Sequence, residues 1–179
     1  MYNILEYGAK GDGVTNDAKA IQSAVDACSQ AGGGVVLFPG GHVYNSGYVI
    51  LKSNVEVHLE MGAVWKASDH LEDYYPLRNN GHITAHESGL PSYLNSEYAG
   101  KPFHAFIYAY QEENICISGR GTIDANEKIF YGDDSGYHIE GSYYPRIPLM
   151  LLEAVNHLTI TGVKLINCAF WTVHLVGCQ

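Results

Sequence analysis

The stretch 7–39, YGAKGDGVTNDAKAIQSAVDACSQAGGGVVLFP, decides the fold of this chain. Its first half is rich in glycine, which adopts positive φ without steric cost and therefore favours tight turns. Thr15 or Asn16 is expected to cap the helix that follows, because a short polar side chain accepts a hydrogen bond from an unpaired backbone N–H. Gly32 is expected to end that helix, and a run of β-branched residues begins directly after Gly34.

The predicted helix carries one narrow apolar stripe. Its apolar residues recur at helical spacing: Ile21, Ala24, Val25, Cys28 and Ala31. Because a helix this short is not stable alone, we expect it to pack against the strands that follow. The sequence therefore predicts a single domain over residues 1–179, with an N-terminal cap over 1–34 and β coils over 35–179.

Short strand-like runs follow the cap, at 35–38, 48–51, 55–59 and 63–66, with no helical pattern among them. Three segments begin with Asn54, Asn114 and Asn156, continue as alternating strands and lead to a glycine. The run 148–152 recurs in character at 173–176, about 25 residues later, a period typical of stacked repeats. This pattern predicts an all-β solenoid whose strands stack in parallel, with a ladder of asparagines at one turn and the helix covering the first coil.

Two segments, 68–103 and 125–144, interrupt the repeat and are rich in Tyr, His, Gly, Asn and Ser. Insertions in a solenoid commonly project from one face and build its binding site. Their tyrosines suit stacking on sugar rings or anchoring of the loops themselves, since the ring is apolar and the hydroxyl polar.

Composition excludes several classes of protein. The net charge of −9 argues against a general nucleic-acid binder, which needs a basic face. The chain has no apolar run of membrane-spanning length, and residues 1–4 lack the basic and apolar regions of a signal peptide. The four cysteines show no metal-ligand spacing, which favours free buried thiols and a cytoplasmic location, with a disulfide as the alternative: Cys28, Cys116, Cys168 and Cys178.

The opening stretch resembles the start of pectin-cleaving enzymes in the right-handed parallel β-helix superfamily. Four later motifs, taken in order, are similar to polygalacturonases, family 28 of the glycoside hydrolases: LKSNV at 51–55, LEMGA at 59–63, GRGTID at 119–124 and WTVH at 171–174. The resemblance covers the whole chain except the two insertions. It implies a right-handed parallel β-helix that acts on pectic oligo- or polysaccharides.

The resemblance further implies inverting hydrolysis of α-1,4-linked galacturonic acid, with no metal or cofactor. This reaction needs one protonated carboxyl group and one carboxylate base. In the family these groups come from motifs after the Trp-Thr-Val-His strand, and this sequence reaches Gln179 before any of them. We therefore expect the N-terminal part of such an enzyme, truncated at its C-terminal end, with no catalytic residue and no activity alone.

Other acidic residues do not replace the missing pair. Asp133 and Asp134 lie in an insertion upstream of the Trp-Thr-Val-His motif, where a solvated acidic loop is expected. Asp124 closes a turn, where a carboxylate usually bonds the backbone.

Arg146 and His174 are the candidate substrate-binding residues. Arg146 could pair with a substrate carboxylate through two hydrogen bonds, or tie a loop to an aspartate. His174 would point either toward the groove or into the stack as a core histidine, and Trp171 is expected to pack within its coil.

Two alternatives to a hydrolase remain at this point. One is a non-catalytic β-helix module, either carbohydrate-binding or structural as in phage tailspikes. The other is a calcium-dependent lyase, which would need a carboxylate cluster that the spacing does not show. In each case the strand at 173–176 would leave backbone groups unpaired, so we expect self-association through the last coil.

Overall fold

A computed structural model of the chain describes residues 1–70, 72–74, 105–130 and 147–179. These residues form one α-helix, α1 (Ala18–Gln30), and two 3₁₀ turns, at 72–74 and at Glu127–Phe130. Their strands are β1 (Tyr2–Asn3), β2 (Asp12–Asn16), β3 (Gly34–Phe38), β4 (Val43–Ser46), β5 (Val49–Ile50), β6 (Val55–Leu59), β7 (Val64–Ala67), β8 (Ile107–Tyr110), β9 (Glu113–Gly119), β10 (Thr122–Asp124), β11 (Met150–Glu153), β12 (Asn156–Ile160), β13 (Lys164–Ile166) and β14 (Val173–Val176).

The strands form three parallel sheets that wrap around one core. Sheet A has the order β1-β3-β6-β9-β12, sheet B the order β13-β10-β7-β4-β2, and sheet C the order β14-β11-β8-β5. The chain visits the three sheets in turn, so each coil lies directly on the previous one in register. The predicted parallel β-helix is confirmed.

Aromatic side chains stack along the core from coil to coil. The ring centroid of Trp65 lies 4.9 Å from that of Phe38 and 5.2 Å from that of Phe106. The indole N–H of Trp65 donates a 2.7 Å hydrogen bond to Ser46 Oγ, so its polar atom is satisfied inside the stack. All three rings are fully buried, and the column joins the coil of β3, which contains Phe38, to the coil of β6, β7 and β8, which contains Trp65 and Phe106.

Residues with positive φ turn the chain before sheet A. Asn54 and Asn114 have φ of 63° and 54°, and the Asn114 amide donates to Asn54 Oδ1 at 3.0 Å. The prediction that Asn156 is the third asparagine of this ladder is wrong. The register pairs Asn156 with Glu113, and His157, with φ of 56°, takes the turning position instead.

Helix α1 covers the first coils, as predicted for the cap. Its buried face contains Ala20, Ile21, Ala24, Val25 and Cys28. The predicted fifth member of the stripe, Ala31, is exposed, because it follows the last helical turn as the C-cap residue.

Of the two predicted caps, Asn16 has the expected contact, since its Oδ1 accepts a 3.0 Å hydrogen bond from the N–H of Ala18, the first helical residue, although Asp17 occupies the N-cap position itself. The Asp17 carboxylate is turned away from the helix and accepts hydrogen bonds from the backbone N–H groups of Lys10 and Gly11, at 2.7 and 3.0 Å. Asp17 therefore ties the glycine-rich loop to the helix start instead of satisfying helical N–H groups.

The side chain of Gln22 pairs with the edge of sheet C. Its amide nitrogen donates to the Ile50 carbonyl at 2.9 Å, and its amide oxygen accepts from the Ile50 N–H at 2.8 Å. A neighbouring strand would offer the same donor and acceptor. Helix α1 thus closes the sheet edge with polar groups as well as covering the core with apolar ones.

The state of the cysteines and the character of the helix agree with the expectations from composition. All four cysteines are free, with Cys28 buried and the other three partly buried. Within the described residues, no helix has the length and apolar character that crossing a bilayer requires.

Candidate functional site

Sheet C presents two different faces. Val49, Ile107 and Met150 lie in register and belong to the main core. One position further along, Ile50, Tyr108, Leu151 and His174 form the next row across the sheet. Ile50, Tyr108 and Leu151 belong to a second, separate cluster of buried residues. Because successive strand residues point to opposite faces, this row lies on the outward face of sheet C.

The described chain enters sheet C directly after each of its two long gaps. These gaps, 75–104 and 131–146, each come after a strand of sheet B. The described chain resumes at Ala105 and at Ile147, just before β8 and β11 of sheet C. Most of both predicted insertions lies outside the described residues, and we take the outward face of sheet C, which the chain enters after each gap, as the candidate site.

A buried carboxylate lies at the far end of this face. Glu153 is 1% exposed, and its Oε2 accepts a 2.7 Å hydrogen bond from the Tyr108 hydroxyl, which is also buried. A buried carboxylate is stable only when such donors compensate for the lost water. Of the described strand residues on the outward face of sheet C, Glu153 is the only carboxylate.

His174 lies in the outward row, in register with Leu151. The sequence left two orientations open, and the structure places this side chain on the outward face. Its ring centroid is 4.3 Å from that of Trp171, with an interplanar angle of 65°. Burial lowers the pKa of His174 from 6.5, because the charged imidazolium loses water.

Trp171 is partly buried at the corner between sheets B and C. The centroid of its ring also lies 4.3 Å from that of Phe170, with an interplanar angle of 34°. The expected packing of Trp171 within its coil is therefore observed, together with a direct contact to the candidate residue His174.

The remaining acidic and basic candidates fall into two groups. Arg146, Asp133 and Asp134 lie outside the described residues, so the roles given to them remain predictions. Asp124 has the predicted turn role, since its Oδ1 accepts from the Asn126 N–H at 2.9 Å and from the Asn167 amide at 3.0 Å.

Sequence reasoning missed a polar cluster on the outward face of sheet A. Ser118 Oγ lies 2.7 Å from His58 Nδ1 and 2.6 Å from Glu56 Oε1, although about 60 residues separate the strands along the chain. The polar residues at alternating positions 56 and 58 predict that their side chains point outward. The alternation does not predict that they contact Ser118. Across the described ranges, no three His, Cys, Asp or Glu side chains are grouped so as to hold a metal ion.

Comparison with known proteins identifies the relatives of this coil stack. A family model described as "Rhamnogalacturonase A/epimerase, pectate lyase-like" matches residues 1–64. The exo-poly-alpha-D-galacturonosidase of Dickeya chrysanthemi is 44% identical over 129 residues, which is 70% of this chain and 19% of that protein. Alginate lyase 7 of Azotobacter vinelandii is 48% identical over 63 residues, 31% of this chain and 7% of that protein.

A solved structure extends the match to nearly the whole chain. The family 28 exopolygalacturonase of Yersinia enterocolitica is 25% identical and superposes with a TM-score of 0.69, over 94% of this chain and 35% of that one. In sequence and in fold the chain is similar to pectate-lyase-like β-helix proteins. Its resemblance to family 28 polygalacturonases and its right-handed parallel β-helix are confirmed.

This β-helix spans 7% and 19% of the lengths of the two curated relatives. In it, the outward face of sheet C offers a half-buried imidazole, an indole and a tyrosine–carboxylate pair. The imidazole and the indole can form hydrogen bonds and stacking contacts with a saccharide, whereas the tyrosine–carboxylate pair is buried. Hydrolysis with inversion needs two carboxyl groups, and Glu153 is the one carboxylate among the described strand residues of this face.

Proposed function

We propose that this chain forms the N-terminal coils of a polygalacturonase-like glycoside hydrolase that acts on α-1,4-linked galacturonic acid in pectin. The observation that carries the proposal is the 44% identity with an exo-poly-alpha-D-galacturonosidase over 70% of the chain. The shorter match to an alginate lyase covers 31% of the chain. The galacturonosidase match covers 70% of it, so the longer match supports pectin.

In this proposal, the coils position the substrate on the outward face of sheet C. His174 binds the saccharide, and the Tyr108–Glu153 hydrogen bond of 2.7 Å holds the floor of the site rigid. Arg146 supplies a cation for a uronate carboxylate, as its residue type predicts. The second carboxyl group that inversion requires is not among the described residues of this face, so we expect the 179-residue chain to bind its substrate without cleaving it.

Binding and cleavage can be measured separately on the purified chain. Calorimetric titration with trigalacturonate should give saturable binding, while a reducing-end assay on polygalacturonate should give no product. His174→Ala should weaken binding about fivefold, the loss expected for one hydrogen bond. His157→Ala is the matched control, because His157 is an exposed residue near the start of β12 in sheet A and should leave binding unchanged.

Three outcomes would contradict the proposal in different ways. Binding of trimannuronate but not trigalacturonate would indicate an alginate-active protein. Absence of binding to both would favour a structural β-helix module. Release of reducing ends by the 179-residue chain would show that its catalytic groups are already present.

We also propose that the 179-residue chain self-associates through its last coil. The strands β12, β13 and β14 each lie at a sheet edge in the described structure. Leu175, Ile166 and Val173 are 50%, 40% and 37% exposed there. Unpaired strand edges with apolar side chains favour pairing with another chain, so light scattering should give a mass above 19.6 kDa that Leu175→Asp returns to the monomer value. A monomer at all concentrations would refute this proposal.

A further inference from the structure

The pair Trp171 and His174 has a geometry that the proposed hydrolase leaves unexplained. The two rings meet edge to face, with centroids 4.3 Å apart and an angle of 65° between their planes. Aromatic rings prefer this arrangement, which fixes the plane of the imidazole relative to the indole. Trp171 lies just before β14, while His174 lies within it, so the contact joins the corner to the strand.

The surroundings of His174 disfavour its charged form. On β11, Leu151 lies in register with it, and Glu153 lies two residues further along the same face. On β8 the same face carries Tyr108 and Tyr110. The burial of His174 lowers its pKa from 6.5, so the imidazole is uncharged at neutral pH.

An uncharged imidazole recognises different groups than an imidazolium does. It has one N–H donor and one acceptor nitrogen, which match a hydroxyl group that both donates and accepts. A carboxylate can only accept, and its strong partners are cations such as an arginine guanidinium. Binding of a sugar would remove further water from His174 and favour the uncharged form still more.

We infer that Trp171 positions His174 to bind a sugar hydroxyl of the substrate and not its uronate carboxylate. This inference rests on the proposed function, because it takes a galacturonide as the ligand. It adds a statement about substrate class: His174 does not distinguish a free galacturonate from its methyl ester. Trp171 acts through His174 and is a positioning residue.

The first experiment compares trigalacturonate with its methyl ester by calorimetry on the purified chain. His174→Ala should weaken the binding of both ligands by the same factor, about fivefold for one hydrogen bond. A loss confined to the free acid would overturn the inference, because it would assign His174 to the carboxylate.

The second experiment needs no ligand. In an NMR titration of the His174 ring protons, Trp171→Ala should raise the pKa of His174 toward 6.5, the ordinary value, because the imidazole gains water. Trp171→Phe should restore the low value, since a smaller aromatic ring still covers the imidazole. An unchanged titration in Trp171→Ala would refute the positioning role. Trp171→Leu, which keeps apolar volume but no ring, replaces the alanine variant if the latter fails to fold.

The two experiments separate the two proposals. If neither ligand binds, the proposed function and the hydroxyl assignment both fail, while the NMR titration still decides whether Trp171 positions His174. If both ligands bind and the titration does not respond to Trp171, the proposed function stands and the positioning role fails.

Discussion

The two ends of the coil stack treat their strand edges differently. At the N-terminal end, α1 buries Ile21 completely, and Gln22 pairs with the backbone of Ile50. At the other end of the described stack, β14 lies at the edge of sheet C and Leu175 is 50% exposed. Ile21 and Leu175 are both apolar, yet the first is fully buried and the second is half exposed. We therefore expect stability in this solenoid to depend on covering each coil more than on the apolar content of the coil itself.

Substitution of one apolar residue at each end tests this difference most strongly. Ile21→Ala should lower the free energy of unfolding by about 2–5 kcal/mol, because it leaves a cavity under the helix. Leu175→Ala should change it by about 0.5 kcal/mol, since half of the side chain is already exposed. Urea denaturation followed by circular dichroism measures both values. Equal losses at the two ends would show that covering does not explain stability.

Removal of the polar contact at the closed end has the next largest expected effect. Gln22→Ala should cost about 1–3 kcal/mol, because the N–H and the carbonyl group of Ile50 both lose their partner. Lys19→Ala, on the exposed side of the same helix, is the matched control and should be neutral within about 0.5 kcal/mol. The comparison fails if the two variants unfold at the same urea concentration.

The asparagine ladder can be extended by one coil toward the open end. His157→Asn should raise the free energy of unfolding by about 0.5 kcal/mol, since asparagine tolerates positive φ better than histidine does. Asn114→Ala should lower it, because its hydrogen bond to Asn54 is lost at a position with φ of 54°. Thermal unfolding of both variants checks the signs, and a destabilised His157→Asn would mean that the ladder requires histidine at this coil.

The smallest expected effects are two pH responses, one at each end. Backbone N–H groups of Thr15 and Val14 lower the pKa of Asp12 from 3.8 to about 2, so its stabilising effect is complete above pH 3.8 and is lost as the pH falls toward 2. The pKa of His174 is lowered by burial, so protonation favours the unfolded chain and stability declines as the pH falls below 6.5. Asp12→Asn should remove the pH dependence of the melting temperature between pH 3.8 and 2 only. His174→Gln should remove it below pH 6.5 only. Thermal melts of each variant measure both. A His174→Gln melt that still depends on pH below 6.5 would assign that response elsewhere.

Local patterns predicted the elements of the fold well. The strand predicted at 55–59 matches β6, and four of the five residues predicted on the buried face of α1 are buried. Hydrophobic periodicity reports burial along one element, which explains this success. The same reasoning failed at Ala31 and at Asn156, where a shift of one residue changes a helical position into a cap or moves a side chain out of the ladder.

The contacts of the candidate site could be predicted only in part. The resemblance selected His174, but the Tyr108–Glu153 bond joins residues 45 positions apart, and the Ser118–His58 contact joins residues 60 apart. Such pairs form only in one register between the coils. The sequence does not reveal this register, because the insertions between the strands differ in length. Once the register is known, the row Tyr108, Leu151 and His174 follows directly from the alternation of side chains along each strand.

The amide group of Gln22 has a consequence for protein engineering. A single side chain on a helix reproduces both hydrogen bonds of a strand neighbour, at 2.8 and 2.9 Å, without any β structure of its own. A helix that carries glutamine at this position could therefore be grafted onto the exposed edge of another coil as a terminator. Placed over β14, such an artificial end would keep a designed array of coils at a fixed length and prevent its growth into fibres.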